Sequence, residues 1–203
     1  LNWYKKIYDN NFCHLIEKMK KKILFVGASF AQVPPIKYAK KMGYYVISCD
    51  QNKKSPGFKY CDESYVVSTT NKQKILEISK KLKINGIVTY VSDTASPTVS
   101  YVSKKLNLKG LPIKAVNTLV YKNLFRKFLK NNNFNYPDFK IFKSKEKIDN
   151  FIDKIGYPFF IKPIDSSGSK GVTKVVKKIF IKKAISEALN YSRKKKFIIE
   201  KII

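Results

Sequence analysis

Four short apolar segments alternate with segments of helical spacing between residues 22 and 110, and this alternation constrains the fold more than any other feature of the chain. Strands that alternate with helices form a parallel sheet, because each right-handed crossover returns the chain to the same end of the sheet. The predicted strands are 23–26, 45–49, 65–67 and 86–90, and the predicted helices are 36–42 and two amphipathic stretches through Ile75, Ile78, Leu82 and through Val99, Val102, Leu106. We therefore expect a doubly wound α/β domain over residues 19–115.

The pattern changes after residue 115. A predicted helix over 115–129 ends at an Asn-rich turn and is followed by a strand over 138–142 and a helix over 145–155. Two further strands, 158–162 and 172–176, are separated by only nine residues. A βαβ crossover needs at least about ten to twelve residues, so this spacing predicts an antiparallel hairpin with a long loop. With a helix over 179–191 and a last strand from Phe197, residues 116–203 are expected to form an α+β domain.

The two ends of the chain carry separate expectations. Residues 1–18 have no clean period, and two interpretations stay open: an extension that precedes a true start at Met19, or a helix that packs Trp3 and Phe12 on the domain. The last strand reaches Ile203 without a turn signal. We expect the chain to stop inside its second domain.

Composition excludes several classes of protein. The chain has 203 residues, of which 44% are hydrophobic and 14% aromatic, which excludes a disordered tail. No apolar run approaches the ~20 residues that span a bilayer, and the charged first 22 residues do not form an export signal. Three cysteines (Cys13, Cys49 and Cys61) and one histidine (His14) show no metal-ligand spacing. We expect a cytoplasmic protein with reduced thiols and without a zinc site.

The charge is strongly basic, with 42 Lys and Arg against 14 Asp and Glu and a net charge of +28. Such a balance is typical of proteins that bind nucleic acid or an anionic surface. However, only Arg126 and Arg193 are arginines, whereas phosphate and base recognition favours the bidentate guanidinium. We therefore expect neither a specific nucleic acid nor a membrane as partner, and keep a Lys-rich nucleic-acid or anionic-surface binding protein as an alternative.

The segment 165–171, Asp-Ser-Ser-Gly-Ser-Lys-Gly, is the strongest candidate for binding chemistry. Glycines tolerate positive φ and let successive backbone N–H groups approach phosphate oxygens, although a flexible hairpin tip has the same composition. Lys162 precedes this loop, and Lys122 and Arg126 share one helical face. Glu200 follows an apolar run, where it can meet an adenine amino group or a ribose hydroxyl, or simply face water at the end of a strand.

The order of these motifs resembles the ATP-grasp superfamily. Ile-Lys-Pro at 161–163, Asp-Ser-Ser-Gly-Ser-Lys-Gly-Val at 165–172 and Ile-Ile-Glu-Lys-Ile-Ile at 198–203 carry the resemblance, and the strand-end segments at 27–29, 32, 50, 56–58, 62–63 and 92–93 look like those of its preceding domain. The short carbamoyl-phosphate-synthase-like and biotin-carboxylase-like members are the most similar. The resemblance implies a Rossmann-like pre-ATP-grasp domain at 19–115 and an incomplete small ATP-grasp subdomain at 116–203, with the C-terminal subdomain missing.

The resemblance also implies roles for individual residues. The ATP-binding residues would be Lys122, Lys162, Ser166, Ser167, Gly168, Ser169, Lys170, Gly171, Glu200, Lys201, Ile202 and Ile203. The substrate-binding residues would be Gly27, Gln32, Ser92 and Asp93, although the last two also suit helix N-capping. The parent protein would be a ligase that activates a small carboxylate as an acylphosphate and joins it to an amine or similar nucleophile, using ATP and Mg²⁺. The Mg²⁺ ligands would lie outside this chain, the fragment alone would be inactive, and a homodimer is possible.

A nicotinamide-dependent oxidoreductase is the second alternative. The segment 27–32, Gly-Ala-Ser-Phe-Ala-Gln, keeps only the first glycine of the G-x-G-x-x-G pattern of dinucleotide-binding proteins. Asp50 follows the second predicted strand, where a dehydrogenase would bind ribose hydroxyls. The same carboxylate can cap a loop, and this interpretation is preferred.

Overall fold

The computed structural model describes residues 20–144 and 146–203, so both interpretations of segment 1–18 lie outside the described residues. The chain divides into two compact units, one ending at Ile113 and the other comprising Lys114–Ile203. None of the helices in the described part of the chain has the length and apolar character needed to cross a membrane.

The first unit contains a four-stranded parallel sheet, which confirms the prediction of a parallel sheet. The strands are β1 (Lys22–Val26), β2 (Tyr45–Asp50), β3 (Glu63–Val66) and β4 (Gly86–Val88), and their order in the sheet is β3-β2-β1-β4. The helices are α1 (Val33–Lys41), α2 (Lys72–Leu82) and α3 (Ser96–Lys105). Because all four strands are parallel, the loops after β1, β2 and β4 meet at the same edge of the sheet.

Both faces of this sheet are covered by helices. On one face Leu24 and Ile47 pack with Ile75 of α2 and Val102 of α3. On the other face Phe25 and Val46 pack with Ile36 and Ala39 of α1. A strand that is buried on both faces has a continuous apolar sequence. This is why β1 and β2 can be recognised in the sequence as short apolar segments.

The second unit contains an antiparallel sheet. The strands are β5 (Phe139–Lys143), β6 (Phe159–Pro163), β7 (Thr173–Val175) and β8 (Lys196–Lys201), in the order β5-β8-β6-β7. The helices are α4 (Ile113–Val120), α5 (Lys122–Asn131), α6 (Asp149–Ile155) and α7 (Ile181–Tyr191). The hairpin of β6 and β7 confirms the inference from their short separation.

The single helix expected over 115–129 is wrong. Tyr121 has extended backbone (φ −92°, ψ 115°) and separates α4 from α5. The backbone N–H of Lys122 donates to the carbonyl oxygen of Ile164 at 3.0 Å, so the second helix begins at a contact with the residue that follows β6. The last helix begins at Ile181, after a 3-10 turn over Lys178–Phe180, rather than at residue 179.

The antiparallel sheet has one apolar face and one mixed face. Phe142, Phe159 and Phe197 point into a core with Ile152 of α6 and Ala184 of α7. Side chains alternate along a strand, so the residues between these phenylalanines point to the opposite face. Among the candidate nucleotide-binding residues, Lys162 of β6 and Glu200 of β8 lie on that second face, whereas Lys201 pairs with Phe159 and lies on the first.

Candidate functional site

Strand register brings the charged residues of the second unit together. Phe160 of β6 pairs with Glu200 of β8, and Lys162 pairs with Ile198, so these four residues share the face of the sheet opposite the aromatic core. The Lys162 ammonium lies 4.6 Å from the centroid of the Phe160 ring. The half-buried Phe160 thus adds an aromatic surface beside Lys162 that sequence reasoning missed.

Glu200 is at the centre of a three-residue ionic cluster. Its side chain is 2% exposed, which rules out the interpretation of a strand-end carboxylate facing water. Arg126 Nε donates to Oε1 at 2.9 Å and Arg126 Nη2 donates to Oε2 at 3.3 Å. Lys162 Nζ donates to Oε2 at 2.6 Å. Both oxygens are therefore engaged by cations, and the direct contact with adenine or ribose suggested by the sequence is not favoured by this geometry.

The charge state of Glu200 follows from this environment. Burial alone would raise the pKa of its carboxyl group, because a charged group loses hydration in the interior. The hydrogen bonds and charges of Arg126 and Lys162 outweigh burial and lower the pKa below its ordinary value. Glu200 is therefore ionised at neutral pH.

Lys122 lies beside the start of the glycine-containing loop. It is the first residue of α5, one helical turn before Arg126, and its Nζ donates to the carbonyl oxygen of Ser166 at 2.6 Å. Lys122 thus joins α5 to the loop, and Arg126 joins the same helix to β8. The i, i+4 spacing noted in the sequence corresponds to this shared face.

The loop between β6 and β7 has the backbone of an anion-binding segment. Gly168, Ser169 and Gly171 have φ values of +64°, +56° and +71°. Ser166 Oγ donates to the carbonyl oxygen of Lys170 at 2.8 Å, which closes the loop on itself. Among the residues that the structure describes, none accepts a hydrogen bond from the backbone N–H groups of residues 167–171. These donors are available to an anion.

Asp165 fixes the start of this loop, a role that the sequence did not reveal. Its carboxylate is buried and accepts hydrogen bonds from Ser192 Oγ at 2.8 Å and from the backbone N–H of Lys194 at 3.0 Å. Arg193 Nη2 donates to the backbone carbonyl oxygen of Asp165 at 2.7 Å. The Lys194 ammonium also lies 3.8 Å from the ring centroid of Tyr121, the residue before α5. We call residues 192–196 the anchoring turn.

The remaining predicted nucleotide-binding residues follow Glu200. Lys201 ends β8, and its backbone N–H donates to the carbonyl oxygen of Asp138 at 2.9 Å. Ile202 is half-buried and Ile203 is exposed. Lys201 pairs with Phe159 and therefore lies on the face opposite Glu200, and Ile202 and Ile203 follow the end of the strand.

In the first unit, Gly27 and Gln32 are brought together after β1. Gly27 has φ +115°, and a Cβ atom there would lie 3.4 Å from the Gln32 side chain. Gln32 is buried; its Oε1 accepts from the backbone N–H of Ser29 at 2.9 Å, and its Nε2 donates to the carbonyl oxygen of Tyr90. Gln32 therefore ties the loop after β1 to the loop after β4.

Ser92 and Asp93 lie in that second loop, and the helix N-capping alternative is wrong for both. The residue that precedes α3 is Ala95, and the Ser92 carbonyl oxygen, not its hydroxyl group, accepts from the Ser96 N–H at 3.2 Å. Asp93 is exposed. Val91, just before them, has φ +48°, an unusual backbone for a β-branched residue and a sign of local strain.

Asp50 serves as a loop cap. Its Oδ2 accepts from the backbone N–H of Ala28 at 2.9 Å, and its Oδ1 accepts from the backbone N–H of Asn52 at 2.9 Å. Both oxygens are thus used by the protein, as the preferred interpretation expected. Within the described ranges, no group of three or more His, Cys, Asp or Glu side chains is arranged to hold a metal ion.

Comparison with protein families gives one match. The family model described as the D-ala D-ala ligase C-terminus matches residues 128–203, which include the β6–β7 loop and Glu200. The match therefore covers most of the second unit and none of the first.

Curated relatives align with nearly the whole chain. The formate-dependent phosphoribosylglycinamide formyltransferase of Prochlorococcus marinus strain NATL1A is 27% identical over 187 residues, which cover 90% of this chain and 48% of the relative. The enzyme of the same name from Bacteroides fragilis is 27% identical over 192 residues, with the same shares. The chain spans about half the length of the curated relatives it matches.

Solved structures share the fold. The N5-carboxyaminoimidazole synthetase from Staphylococcus aureus, solved with ADP, has a TM-score of 0.70 at 20% identity and matches 92% of this chain and 49% of that protein. The biotin carboxylase domain of the 2-oxoglutarate carboxylase from Hydrogenobacter thermophilus, solved with MgADP and bicarbonate, has a TM-score of 0.71 at 18% identity and matches 90% of this chain and 44% of that domain. Neither sequence alternative gains support from these comparisons.

Proposed function

We propose that this chain, which belongs to the ATP-grasp superfamily, binds ATP through its second unit as part of an ATP-dependent ligase. The phosphates would contact the backbone N–H groups of residues 167–171 and the ammonium groups of Lys122 and Lys162. The adenine would lie beside Phe160 and the backbone of residues 201–203. Glu200 would act on Lys162 rather than on the base.

The β6–β7 loop carries this proposal. Its backbone N–H groups have no acceptor among the described residues, and three of its residues have positive φ values. Two lysines flank it: Lys122, which donates to the loop, and Lys162 on the strand that leads into it. Unpaired amides next to ammonium groups are the recurrent chemistry of triphosphate recognition.

We further propose that residues 19–115 are the pre-ATP-grasp domain and residues 116–203 the small ATP-grasp subdomain. The parallel strand order β3-β2-β1-β4, the order of one half of a Rossmann-like sheet, supports the first assignment. Gly27, Gln32, Ser92 and Asp93 would face a small carboxylate substrate at the edge where the parallel strands end. Activation as an acylphosphate, followed by attack of an amine or similar nucleophile, is the proposed reaction class, in the cytoplasm.

The described residues of the second unit offer groups that suit ATP but do not offer a set of metal ligands. The buried acidic groups of the second unit, Glu200 and Asp165, both have basic or hydrogen-bonding partners within the protein. No metal-binding cluster exists in the described ranges. Mg²⁺ would therefore enter with the nucleotide, and no step of the proposal depends on a metal ligand from these residues.

Calorimetric titration with Mg-ATP tests the proposal. Lys162→Ala removes an ammonium group beside the loop and should weaken binding by at least tenfold. Lys154→Ala is the matched control, because Lys154 is exposed on α6, which packs on the opposite face of the sheet. Equal affinities of the wild type and both variants, or no binding by the wild type, would contradict the proposal.

A further inference from the structure

Arg126 and Lys162 both donate to the Glu200 carboxylate. The three residues come from three elements, since Arg126 lies on α5, Lys162 on β6 and Glu200 on β8. Two arginine nitrogens donate to Glu200 at 2.9 Å and 3.3 Å, and the lysine ammonium donates at 2.6 Å. This bidentate contact fixes the plane of the carboxylate, which a single ammonium cannot do.

The charges of the cluster leave one positive charge in excess. Glu200 is almost fully buried, whereas the side chains of Arg126 and Lys162 are 21% and 18% exposed. A carboxylate shared between two cations cancels one of the two charges. If Arg126 were absent, Glu200 and Lys162 would form a neutral buried pair, and Lys162 would attract an anion far less.

From this geometry we infer that Arg126 is a positioning residue, which aims Glu200 at Lys162 and preserves the positive charge with which Lys162 attracts phosphate. Arg126 acts through Glu200 and does not itself contact the phosphate groups. The inference rests on the proposed phosphate-binding function of this face. It assigns to Arg126 a role that neither the motif order nor the comparisons contain.

Lys122 lies one turn before Arg126 on α5 but is held by contacts of its own. Its Nζ donates to the carbonyl oxygen of Ser166 at 2.6 Å, and its backbone N–H donates to the carbonyl oxygen of Ile164 at 3.0 Å. Loss of Arg126 should therefore act on Lys162 through Glu200 and leave Lys122 in place.

Removing the carboxylate should rescue the loss of Arg126. Arg126→Met leaves Glu200 to neutralise Lys162, so its affinity for inorganic tripolyphosphate should fall by about tenfold or more. In the double variant Arg126→Met with Glu200→Gln, Lys162 regains its uncancelled charge, and the affinity should return to within about threefold of the wild type. Lys127→Met is the matched control, because it removes one positive charge from an exposed neighbour on α5 and should change the affinity less than about twofold.

Calorimetry with tripolyphosphate and, separately, with Mg-ATP at physiological salt distinguishes the possible roles. If Arg126 bound phosphate itself, or had only a structural role, the double variant would bind as weakly as Arg126→Met or more weakly, and the inference would be overturned. Should Arg126→Met fail to fold, Arg126→Gln, which also removes the positive charge, replaces it, with the same rescue expected from Glu200→Gln. The inference would survive without the proposed function if tripolyphosphate shows the rescue while the wild type does not bind Mg-ATP. Mg-ATP binding without rescue overturns the inference alone, and a wild type that binds neither probe overturns both.

Discussion

The ion pairs of Glu200 show that burial decides how much an ion pair contributes to the stability of the fold. Surface pairs such as Lys74 with Glu77, whose side chains are 59% and 64% exposed, contribute little because water competes for both groups. The carboxylate of Glu200 is buried, so removing it leaves two cations without their counter-charge. Replacing Glu by Gln should therefore change the free energy of unfolding more at position 200 than at position 77.

Glu200→Gln should lower the free energy of unfolding by about 2–3 kcal/mol at pH 7, below the 3–5 kcal/mol typical of a broken buried pair because Arg126 and Lys162 retain access to water. Glu77→Gln should change it by less than about 0.5 kcal/mol. Urea unfolding followed by circular dichroism measures both. Equal effects of the two substitutions would show that the Glu200 cluster is not a buried one.

The difference in stability between the wild type and Glu200→Gln depends on pH, because the pKa of Glu200 is lowered in the folded chain. Its contribution to stability is complete above the unfolded-state pKa near 4.5 and is lost as the pH falls through the lower folded-state pKa. The stability gap between the wild type and Glu200→Gln should therefore be constant from neutral pH to about pH 5 and should narrow below pH 4.5. Unfolding curves over this pH range test whether the stability gap narrows in acid. A gap that widens in acid would contradict the prediction.

The buried Cys49 gives an independent test at the same scale. Burial raises the pKa of its thiol to about 12, so the reactive thiolate is nearly absent at pH 8. Iodoacetamide should label Cys49 at least a hundredfold more slowly in the folded chain than in denaturing urea, with peptide mapping to identify the labelled thiol. Cys61, whose pKa is also raised but which is only half-buried, should react faster than Cys49. Rapid labelling of Cys49 in the folded chain would contradict its burial.

Local motifs mark some of these residues in the sequence, whereas partners that are distant in the chain leave no such mark, and the binding roles stay a prediction. Lys122, Lys162 and the glycine-containing loop were identifiable from residue type and motif order. The pairing of Arg126 with Glu200 joins positions 74 residues apart and depends on the packing of α5 against the sheet. No local pattern indicates such a contact, so the sequence alone leaves a solvent-facing position open for Glu200.

At the level of elements, the anchoring turn holds both parts of the candidate phosphate site. Asp165, where the β6–β7 loop begins, accepts from the Ser192 hydroxyl and the Lys194 N–H, and Lys194 also contacts Tyr121 next to α5. The loop tip, by contrast, is exposed. We therefore expect the turn to fix the start of the loop and leave its tip free to adjust.

Asp165→Asn tests this division. The amide cannot accept at both positions as the carboxylate does, so the loop should lose its fixed start and the affinity for Mg-ATP should fall by about threefold to tenfold. Asp153→Asn, at an exposed position of α6, is the matched control and should leave the affinity unchanged. Titration at a temperature well below the unfolding transition separates binding from stability, and an unaltered affinity of Asp165→Asn would exclude a role for the anchoring turn.

Helices and strands could be predicted from the sequence where the length of a segment and the spacing of its apolar residues decide the structure. The nine residues between the predicted strands required a hairpin, and β6 and β7 do pair. The break at Tyr121 was not predictable, because residues 115–129 keep a helical pattern and the interruption comes from a hydrogen bond between Lys122 and Ile164. A tertiary contact overrode local propensity there.

For the whole molecule, the net charge of +28 complicates any measurement of anion binding. Forty lysines attract ATP without a specific site, and this attraction is screened by salt. Specific binding by the second unit must therefore be separated from the background by its dependence on Lys162 rather than by affinity alone.

We expect the 203-residue chain to bind Mg-ATP weakly, with a Kd of about 0.1–1 mM, and not to hydrolyse it. The described residues offer ammonium groups and loop amides on one face of a sheet and no metal-binding cluster, whereas rapid phosphoryl transfer needs charge stabilisation in a desolvated site. Raising the salt concentration should weaken binding severalfold in both the wild type and Lys162→Ala, because most of the attraction is electrostatic. A coupled assay should detect no release of ADP above the rate without protein. Tight binding that salt does not weaken, or release of ADP that Lys162→Ala abolishes, would mean that these residues form a complete catalytic site.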